Sequence, residues 1–409
     1  MNCFWQTTDG TIRTYVGDAL AVLREMPADS VHCCVTSPPY FGLRDYGVDG
    51  QIGLEETPAE FVARLVEVFR EVRRVLHPSG VCWVNMGDSY ARQGGRDSQQ
   101  PRRWDGRKND PGAMHSTRHA SDFGLKPKDI IGVPWMLAFA LRDDGWYLRQ
   151  EIIWHKPAPM PESVTDRCTK AHEQVFLLAK NERYFYDAEA VKIRQSESTG
   201  SRMLRGVSSD HKNVNGAGGQ SKHSINQPRE YGEGYDLPSM ANRRSVWTVA
   251  SEPFPGSHFA TFPSELIRPM IRAGSSERGC CPACLAPWRR VTEKGQYSKQ
   301  SPSKRKDAAN NPHNHTTANS ITQLVGGGFV PVFTRGWEPT CKCNAGDPAP
   351  CTILDTFGGS GTTGMVARQE GRACVMIELN PEYAAMHRAR VMQVKTMADE
   401  DAPLLAMAD

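Results

Sequence analysis

No run in this sequence approaches the roughly 18 consecutive apolar residues that a membrane-spanning helix needs. No membrane partner is expected. Charge of one sign is also scarce: 49 Lys and Arg stand against 46 Asp and Glu, a net charge of +3. Such a chain is not a polycation, so any hold on nucleic acid must come from local basic patches. The opening residues MNCFWQTTDG lack a basic start followed by an apolar stretch, so no signal peptide is expected. No internal repeat is visible. The 12 cysteines are scattered rather than spaced as a disulfide framework, and Cys33, Cys34, Cys82 and Cys374 fall in apolar, strand-like runs. Buried free thiols with one metal cluster fit a reducing cytoplasm.

What is present is a chain of 409 residues, enough for one large core and one or two smaller units. Strands are expected at 11–17, 31–36, 80–87, 147–156 and 173–180. Between 59 and 77, Phe61, Leu65, Val68, Phe69, Val72, Val75 and Leu76 recur at helical spacing. A further helix is expected over 128–146, with Pro134 in its first turn. The alternation of strand and helix predicts a mostly parallel, doubly wound α/β sheet. The C-terminal part alternates again: strand 351–357, helix 361–371, strand 373–379, helix 381–397. Three polar tracts interrupt this order, at 91–125, 190–245 and 289–320, each with a basic excess.

Two short motifs carry chemistry. In CVTSPPYFGLRDYG (34–47) a Pro-Pro pair stops an apolar strand, because proline fixes φ and lacks an N–H. The corner is either an ordinary chain stop or a stiff frame for a flat substrate. In ILDTFGGSGTTG (353–364) a strand runs into an acid, a glycine-rich turn and a helix. Glycines admit close backbone approach, and a helix N-terminus aims N–H groups at a ligand. The next strand ends in Glu378, where an acid can accept hydrogen bonds from a ribose diol. No GK[ST] follows the glycines, which excludes a P-loop. Asp18, Ser37, Asp355 and Glu378 all stand at carboxyl ends of expected strands, where doubly wound sheets bind ligands. The strands are permuted in the chain yet converge on one cleft.

TSPPY followed far downstream by DTFGGSGTT and IELNPEY resembles the amino-methyltransferases that modify DNA bases with S-adenosylmethionine. The catalytic motif first and the cofactor motif last resemble their β group. GDAL (17–20), GWYLRQEIIWHKP (145–157) and HFATFPSELI (258–267) extend the likeness. Thr356 departs from it, since the family commonly has proline after the aspartate. The resemblance implies a Rossmann-like methyltransferase fold with circularly permuted motif order and inserted recognition loops. It divides the chain into a catalytic half at 1–190, a polar recognition insert at 191–245, a return to the cofactor pocket at 246–279, a cysteine excursion at 280–350 and a cofactor half at 351–409. Ser37 Oγ and the Pro38 carbonyl would accept hydrogen bonds from an exocyclic amine, Pro39 would stiffen the frame, and Tyr40 would stack on a base flipped from the duplex. For the cofactor the resemblance implies Glu378 at the ribose, Asp18 near the adenine, Asp355, Phe357, Gly359 and Gly361 on the methionine side, and Thr36 and Thr362 beside them. Phe259, Thr261 and Pro263 would complete the pocket, although Phe259 and Phe262 also suit a core. Serine before PPY implies N4 of cytosine as the target, with N6 of adenine as the alternative. An RNA or protein amide methyltransferase, and a DNA-binding regulator on an inactive scaffold, are the competing classes. Double-stranded DNA is the expected partner, with a cognate restriction endonuclease as a further one.

CCPAC (280–284) and CKC (341–343) are two halves of a metal site. Cys281, Cys284, Cys341 and Cys343 would make a closed, structural zinc centre, with Cys280 as a competing ligand; the alternative is cysteines without a metal. Metal loss is expected to loosen the 285–340 excursion before the sheet. The 190–245 tract is the first candidate for reading bases, because the family's target-recognition region lies between its catalytic and cofactor motifs. Neutralising Arg202 and Arg205 should lower DNA affinity and flatten its salt dependence, measured by titration at several ionic strengths, with cofactor binding intact. Deleting residues 199–226 should abolish site preference; a deletion protein that methylates the wild-type sequence would move recognition to the 91–125 loop.

Overall fold

Residues Val31–Thr36 form a strand buried along its whole length, as expected of the centre of a sheet covered on both faces. It belongs to a computed structural model that describes residues 2–42, 47–91, 124–194, 240–252, 262–294 and 332–394. Phe259, Thr261, Arg202, Arg205 and most of the three polar tracts lie outside these residues.

In chain order the strands are β1 (Trp5–Gln6), β2 (Ile12–Val16), β3 (Val31–Thr36), β4 (Leu76–Met86), β5 (Tyr147–His155), β6 (His172–Ala179), β7 (Ile193–Arg194), β8 (Met240–Ala241), β9 (Val246–Thr248), β10 (Arg289–Lys294), β11 (Val332–Glu338), β12 (Thr352–Asp355) and β13 (Ala373–Glu378). The helices are α1 (Ala19–Glu25), α2 (Pro58–Val75), α3 (Val133–Asp143), α4 (Ser264–Gly274), α5 (Thr362–Gln369) and α6 (Pro381–Met392). Nine strands join in the order β1-β2-β13-β12-β3-β4-β6-β5-β9. Among these described strands only β1 and β6 run against the rest. The C-terminal pair β12–β13 is therefore inserted between β2 and β3, both from the N-terminal part. Permuted chain order becomes one continuous sheet.

Local sequence explains the covering helices. Thr57 and Glu60 exchange side-chain and backbone hydrogen bonds at the start of α2, a capping box with Pro58 in the first turn. The α2 stripe Phe61, Leu65, Val68, Phe69, Val72 and Val75 is buried against the sheet. α3 begins five residues later than its apolar pattern suggests, because Gly132 turns left-handed (φ 84°) and the Asp88 carboxylate accepts from the N–H groups of Gly132 and Val133. β4 starts at Leu76, earlier than expected, since Leu76 is extended and pairs with Val31. α6 ends at Met392, short of the expected 397. α4 had no helical expectation: Pro269 lies inside it, a residue that argues against a helix.

The chain divides into two units. One comprises residues 1–191, 244–289 and 337–409, and holds the nine-stranded sheet. The other comprises residues 192–243 and 290–336; its described parts are the β7–β8 pair and most of the β10–β11 ribbon, where Arg335 pairs with Glu293 at 2.5 Å. No helix among the described residues is long and apolar enough to cross a membrane.

Gly274 ends α4 where it meets β3 and β4. A Cβ there would lie 2.5 Å from Cys33 Sγ and 2.8 Å from Val81 Cγ2. Gly274→Ala should therefore cost about 1–3 kcal/mol through overpacking, read as a lower urea midpoint at unchanged slope. An unmoved midpoint would mean that α4 can shift freely on the sheet.

Candidate active site

The carboxyl ends of β2, β3, β12 and β13 open onto one cleft. Its walls include Gly17, Asp18, Ser37, Pro38, Pro39 and Tyr40 from the N-terminal half. Phe357, Gly359, Thr362 and Glu378 come from the C-terminal half. The sheet brings together motifs that lie more than 300 residues apart in the chain, for β12 lies directly beside β3 and β13 beside β2.

The glycine turn is built around a histidine that sequence reading missed. His387 is fully buried; its Nε2 donates to the Gly359 carbonyl at 2.9 Å and its Nδ1 accepts from the Thr14 hydroxyl at 3.1 Å. Burial lowers its pKa to about 4. A Cβ on Gly361 would fall 2.8 Å from this imidazole and one on Gly358 2.9 Å from it, so the ring excludes side chains from the turn. Gly359 and Gly361 also take positive φ, 52° and 84°. The only sequence sign of His387 is its place on a helix after PEY, and an isolated histidine there has no signature.

Glu378 accepts from the Gly359 N–H at 2.7 Å and the Asn380 N–H at 2.9 Å, one on each carboxylate oxygen. Each oxygen keeps acceptor capacity for a diol in the cleft. Burial raises its pKa to about 7, against those two N–H groups, which pull it down. Asp18 caps α1 by accepting from Ala21 N at 2.9 Å and still faces the cleft.

Asp355 and Thr36 do not reach the cleft wall. Asp355 is completely buried and accepts from Thr36 Oγ1 at 2.8 Å, Thr363 Oγ1 at 2.6 Å and Phe357 N at 3.1 Å. Burial pushes its carboxyl up, and those three donors hold it down. Both residues act behind the wall, as the tie between the two motifs. Gly361 caps α5 and Pro263 caps α4, also outside the wall, and Phe262 lines the cleft where Pro263 was expected to. Phe259 and Thr261 lie outside the described residues.

On the N-terminal side of the cleft a polar network holds the SPPY corner. Ser37 Oγ donates to Asn85 Oδ1 at 3.4 Å. Asn85 Nδ2 donates to Glu173 Oε2 at 3.1 Å, and the Tyr40 hydroxyl donates to the same oxygen at 2.7 Å. Lys156 Nζ closes the network on Glu173 Oε1 at 2.5 Å. The Tyr40 ring lies so near Gly87 that a Cβ there would sit 2.5 Å from it. Asn85, Gly87 and Glu173 carry no motif of their own in the sequence, and Lys156, inside the GWYLRQEIIWHKP segment, has no role there; their places in the network come from strand pairing.

The cysteine cluster forms as expected from its spacing. Sγ atoms of Cys281, Cys284, Cys341 and Cys343 lie within 4.8 Å of one another. N–H groups of Cys284 and Ala283 aimed at Cys281 pull its thiol down to about 7.

Sheet order and cleft together define a Rossmann-like α/β enzyme that binds its ligands at the carboxyl ends of the strands. Residues 31–281 and 350–388 match the N6_N4_Mtase family, described as DNA methylase. The Type II methyltransferase M.Cfr9I of Citrobacter freundii is 39% identical over 90% of this chain and 84% of its own length. M.SmaI of Serratia marcescens, also a Type II methyltransferase, is 35% identical over 92% of this chain and 90% of its own. Among solved structures, the PvuII DNA methyltransferase (cytosine-N4-specific) shares the fold with a TM-score of 0.50 at 17% identity, covering 95% of this chain and 90% of that one. The chain belongs to the N6/N4 DNA methylase family, and it is a DNA methyltransferase.

Because folding raises the Glu378 pKa, its contribution to stability is fully present below the ordinary carboxylate value and is lost as pH rises through about 7. The melting temperature of Glu378→Gln relative to wild type should therefore climb as pH goes from about 5 to about 8. Parallel curves for the two proteins would contradict the buried carboxyl.

Proposed function

We propose that the protein is a site-specific, type II DNA methyltransferase that transfers a methyl group from S-adenosylmethionine to N4 of a cytosine flipped out of duplex DNA. The observation that carries this reading is the Ser37–Asn85 hydrogen bond. Asn85 Oδ1 accepts the Ser37 O–H, which leaves the Oγ lone pairs for an incoming amine. The exocyclic nitrogen of cytosine is a weak nucleophile because its lone pair is spread into the ring. Acceptors at Ser37 Oγ and the Pro38 carbonyl would draw its two protons and turn its lone pair toward the cofactor. Nitrogen then bonds the methyl carbon as the S–CH3 bond breaks, S-adenosylhomocysteine departs, and the nitrogen gives up one proton to solvent. No covalent enzyme intermediate is required.

Glu378 would hold the ribose hydroxyls and Asp18 the adenine side. Phe357, Gly359, Thr362 and Phe262 would border the rest of the cofactor. Tyr40, held flat between Gly87 and the Glu173 network, would stack on the base. Serine ahead of the prolines favours cytosine; the family's own description embraces both N6 and N4 chemistry, so adenine is the competing target. Cys281, Cys284, Cys341 and Cys343 would hold a structural zinc ion, whose four thiolates leave no open position for catalysis. The 190–245 tract would read the bases, and a cognate restriction endonuclease would be the cellular counterpart.

Mixed-sequence DNA methylated by the protein and digested to nucleosides should yield N4-methylcytosine by mass; N6-methyladenine alone would reverse the base assignment. Ser37→Ala should keep cofactor affinity and lose turnover by about 100-fold or more, the usual effect of removing a positioned electrostatic group. Turnover within about twofold of wild type would remove Ser37 from that role.

A further inference from the structure

Two groups of cysteines meet at the start of β12. The first is the four-cysteine cluster. Each of its halves is followed by a residue in the left-handed region, Leu285 after Cys284 (φ 61°) and Asn344 after Cys343 (φ 50°). The first half closes on itself: Leu285 N donates to the Cys281 carbonyl and Cys281 N to the Ala286 carbonyl, both at 2.9 Å. Left-handed leucine is intrinsically disfavoured, so something beyond local preference must hold this knuckle. Four convergent thiolates around one soft dication would do so.

The second group is His32, Cys280 and Cys351, all buried, with ligating atoms also within 4.8 Å. It is not a second metal site, because the imidazole is fully used. Thr352 N donates to His32 Nδ1 at 2.9 Å. Nε2 therefore carries the ring proton, and it lies 2.8 Å from the Leu285 carbonyl. The ring is 4% exposed and stacks on His77 at 5.9 Å. His32 thus spans from the residue directly after Cys284 to the first residue of β12. A second arm runs beside it. Cys280 N donates to the Ala349 carbonyl at 2.8 Å and Ala349 N to the Cys280 carbonyl at 2.9 Å. A Cβ on Gly279 would strike that Ala349 carbonyl, so only glycine permits the approach.

We propose that the four-cysteine knuckle braces the cofactor strand: metal occupancy, passed by His32 from Leu285 to Thr352, sets the affinity for S-adenosylmethionine at a turn the metal never touches. This rests on the zinc and cofactor assignments of the proposed function. β12 has four residues, Thr352–Asp355. At roughly 3.3 Å per residue its ends are about 10 Å apart, and its last residue is the aspartate that anchors Thr36, Thr363 and the Phe357 N–H. β12 pairs with β13 along all four of its residues and with β3 at Ile353 and Leu354, so it shifts as one piece, and restraint at Thr352 carries to Asp355. Metal loss then reaches the sheet through His32 instead of stopping at the 285–340 excursion.

The test uses the full chain, zinc-loaded and chelator-stripped, as wild type and as His32→Phe, which keeps an aromatic ring and loses both hydrogen bonds. Zinc is read by elemental analysis, cofactor affinity by calorimetry, and fold by circular dichroism. Wild type should carry about one zinc per chain and lose at least about fivefold in cofactor affinity on stripping, the lower end of ordinary coupling between sites. His32→Phe should keep its zinc, start with a comparable loss, and lose less than about twofold more on stripping, since the two changes act through one link. Unchanged affinity on stripping overturns the brace, as does zinc-loaded His32→Phe binding the cofactor like wild type. Wild type purified without zinc sinks the metal site and the brace with it; loaded protein that binds no S-adenosylmethionine sinks the cofactor assignment. Should His32→Phe fail to fold, wild type before and after stripping, with Cys284→Ser beside it, decides the matter.

Discussion

The carboxylate of Asp355 is the point on which both halves of the site depend. It is completely buried at the end of β12 and accepts three hydrogen bonds, from Thr36 on β3, from Thr363 on α5 and from the Phe357 N–H in the turn. A buried carboxylate without partners is costly, so the three donors are held as firmly as the carboxylate holds them. Thr36 is the residue before Ser37. The same carboxylate therefore positions the residue that leads into the SPPY corner and the helix that follows the glycine turn. An aspartate at this strand end is a joint between two motifs that lie more than 300 residues apart in the chain.

Around that joint each motif has its own support. His387 fills the concave side of the glycine turn and joins it to β2 through Thr14. On the other side Glu173 gathers Tyr40, Asn85 and Lys156 behind the SPPY corner. The two supports differ in kind. One is a buried imidazole whose burial lowers its pKa, and it shapes backbone. The other is a charged network that fixes where a hydroxyl and an aromatic ring point. A reaction that needs a flat base and a sulfonium methyl held in line requires both, because the misplacement of either partner by about 1 Å costs on the order of 100-fold in rate.

Much of this was legible in the sequence. The expected bounds of β3 coincide with those observed, and those of β2, β5, β6, β13 and α2 fall within two residues, because buried strands and amphipathic helices leave period and composition behind. The two motifs and their meeting at one cleft followed from the rule that doubly wound sheets bind ligands at the carboxyl ends of strands. Positions that depend on pairing between distant segments leave no such trace. Asn85 and Glu173 look like any polar residues in their strands until β4 pairs with β6. Thr36 and Asp355 read as ligand contacts, since sequence gives the strand end but not the side of the wall on which a side chain falls. α4 was hidden by Pro269, which packs in its buried face. The cysteine spacing marked a metal site, but nothing in it pointed to His32, some 250 residues away.

The central claim is that the SPPY corner and the glycine turn are set by one buried carboxylate. Thr36→Val tests it, because valine keeps the shape of threonine and removes only the hydroxyl that reaches Asp355. The measurement is the rate of a single methyl transfer at saturating S-adenosylmethionine and DNA, in protein whose circular dichroism matches wild type. The account predicts a rate lower by about tenfold or more, as expected when one hydrogen bond to a buried charged group is lost and the corner shifts. A variant that transfers its methyl group at the wild-type rate would show that the two motifs keep their register without this bond, and would contradict the account.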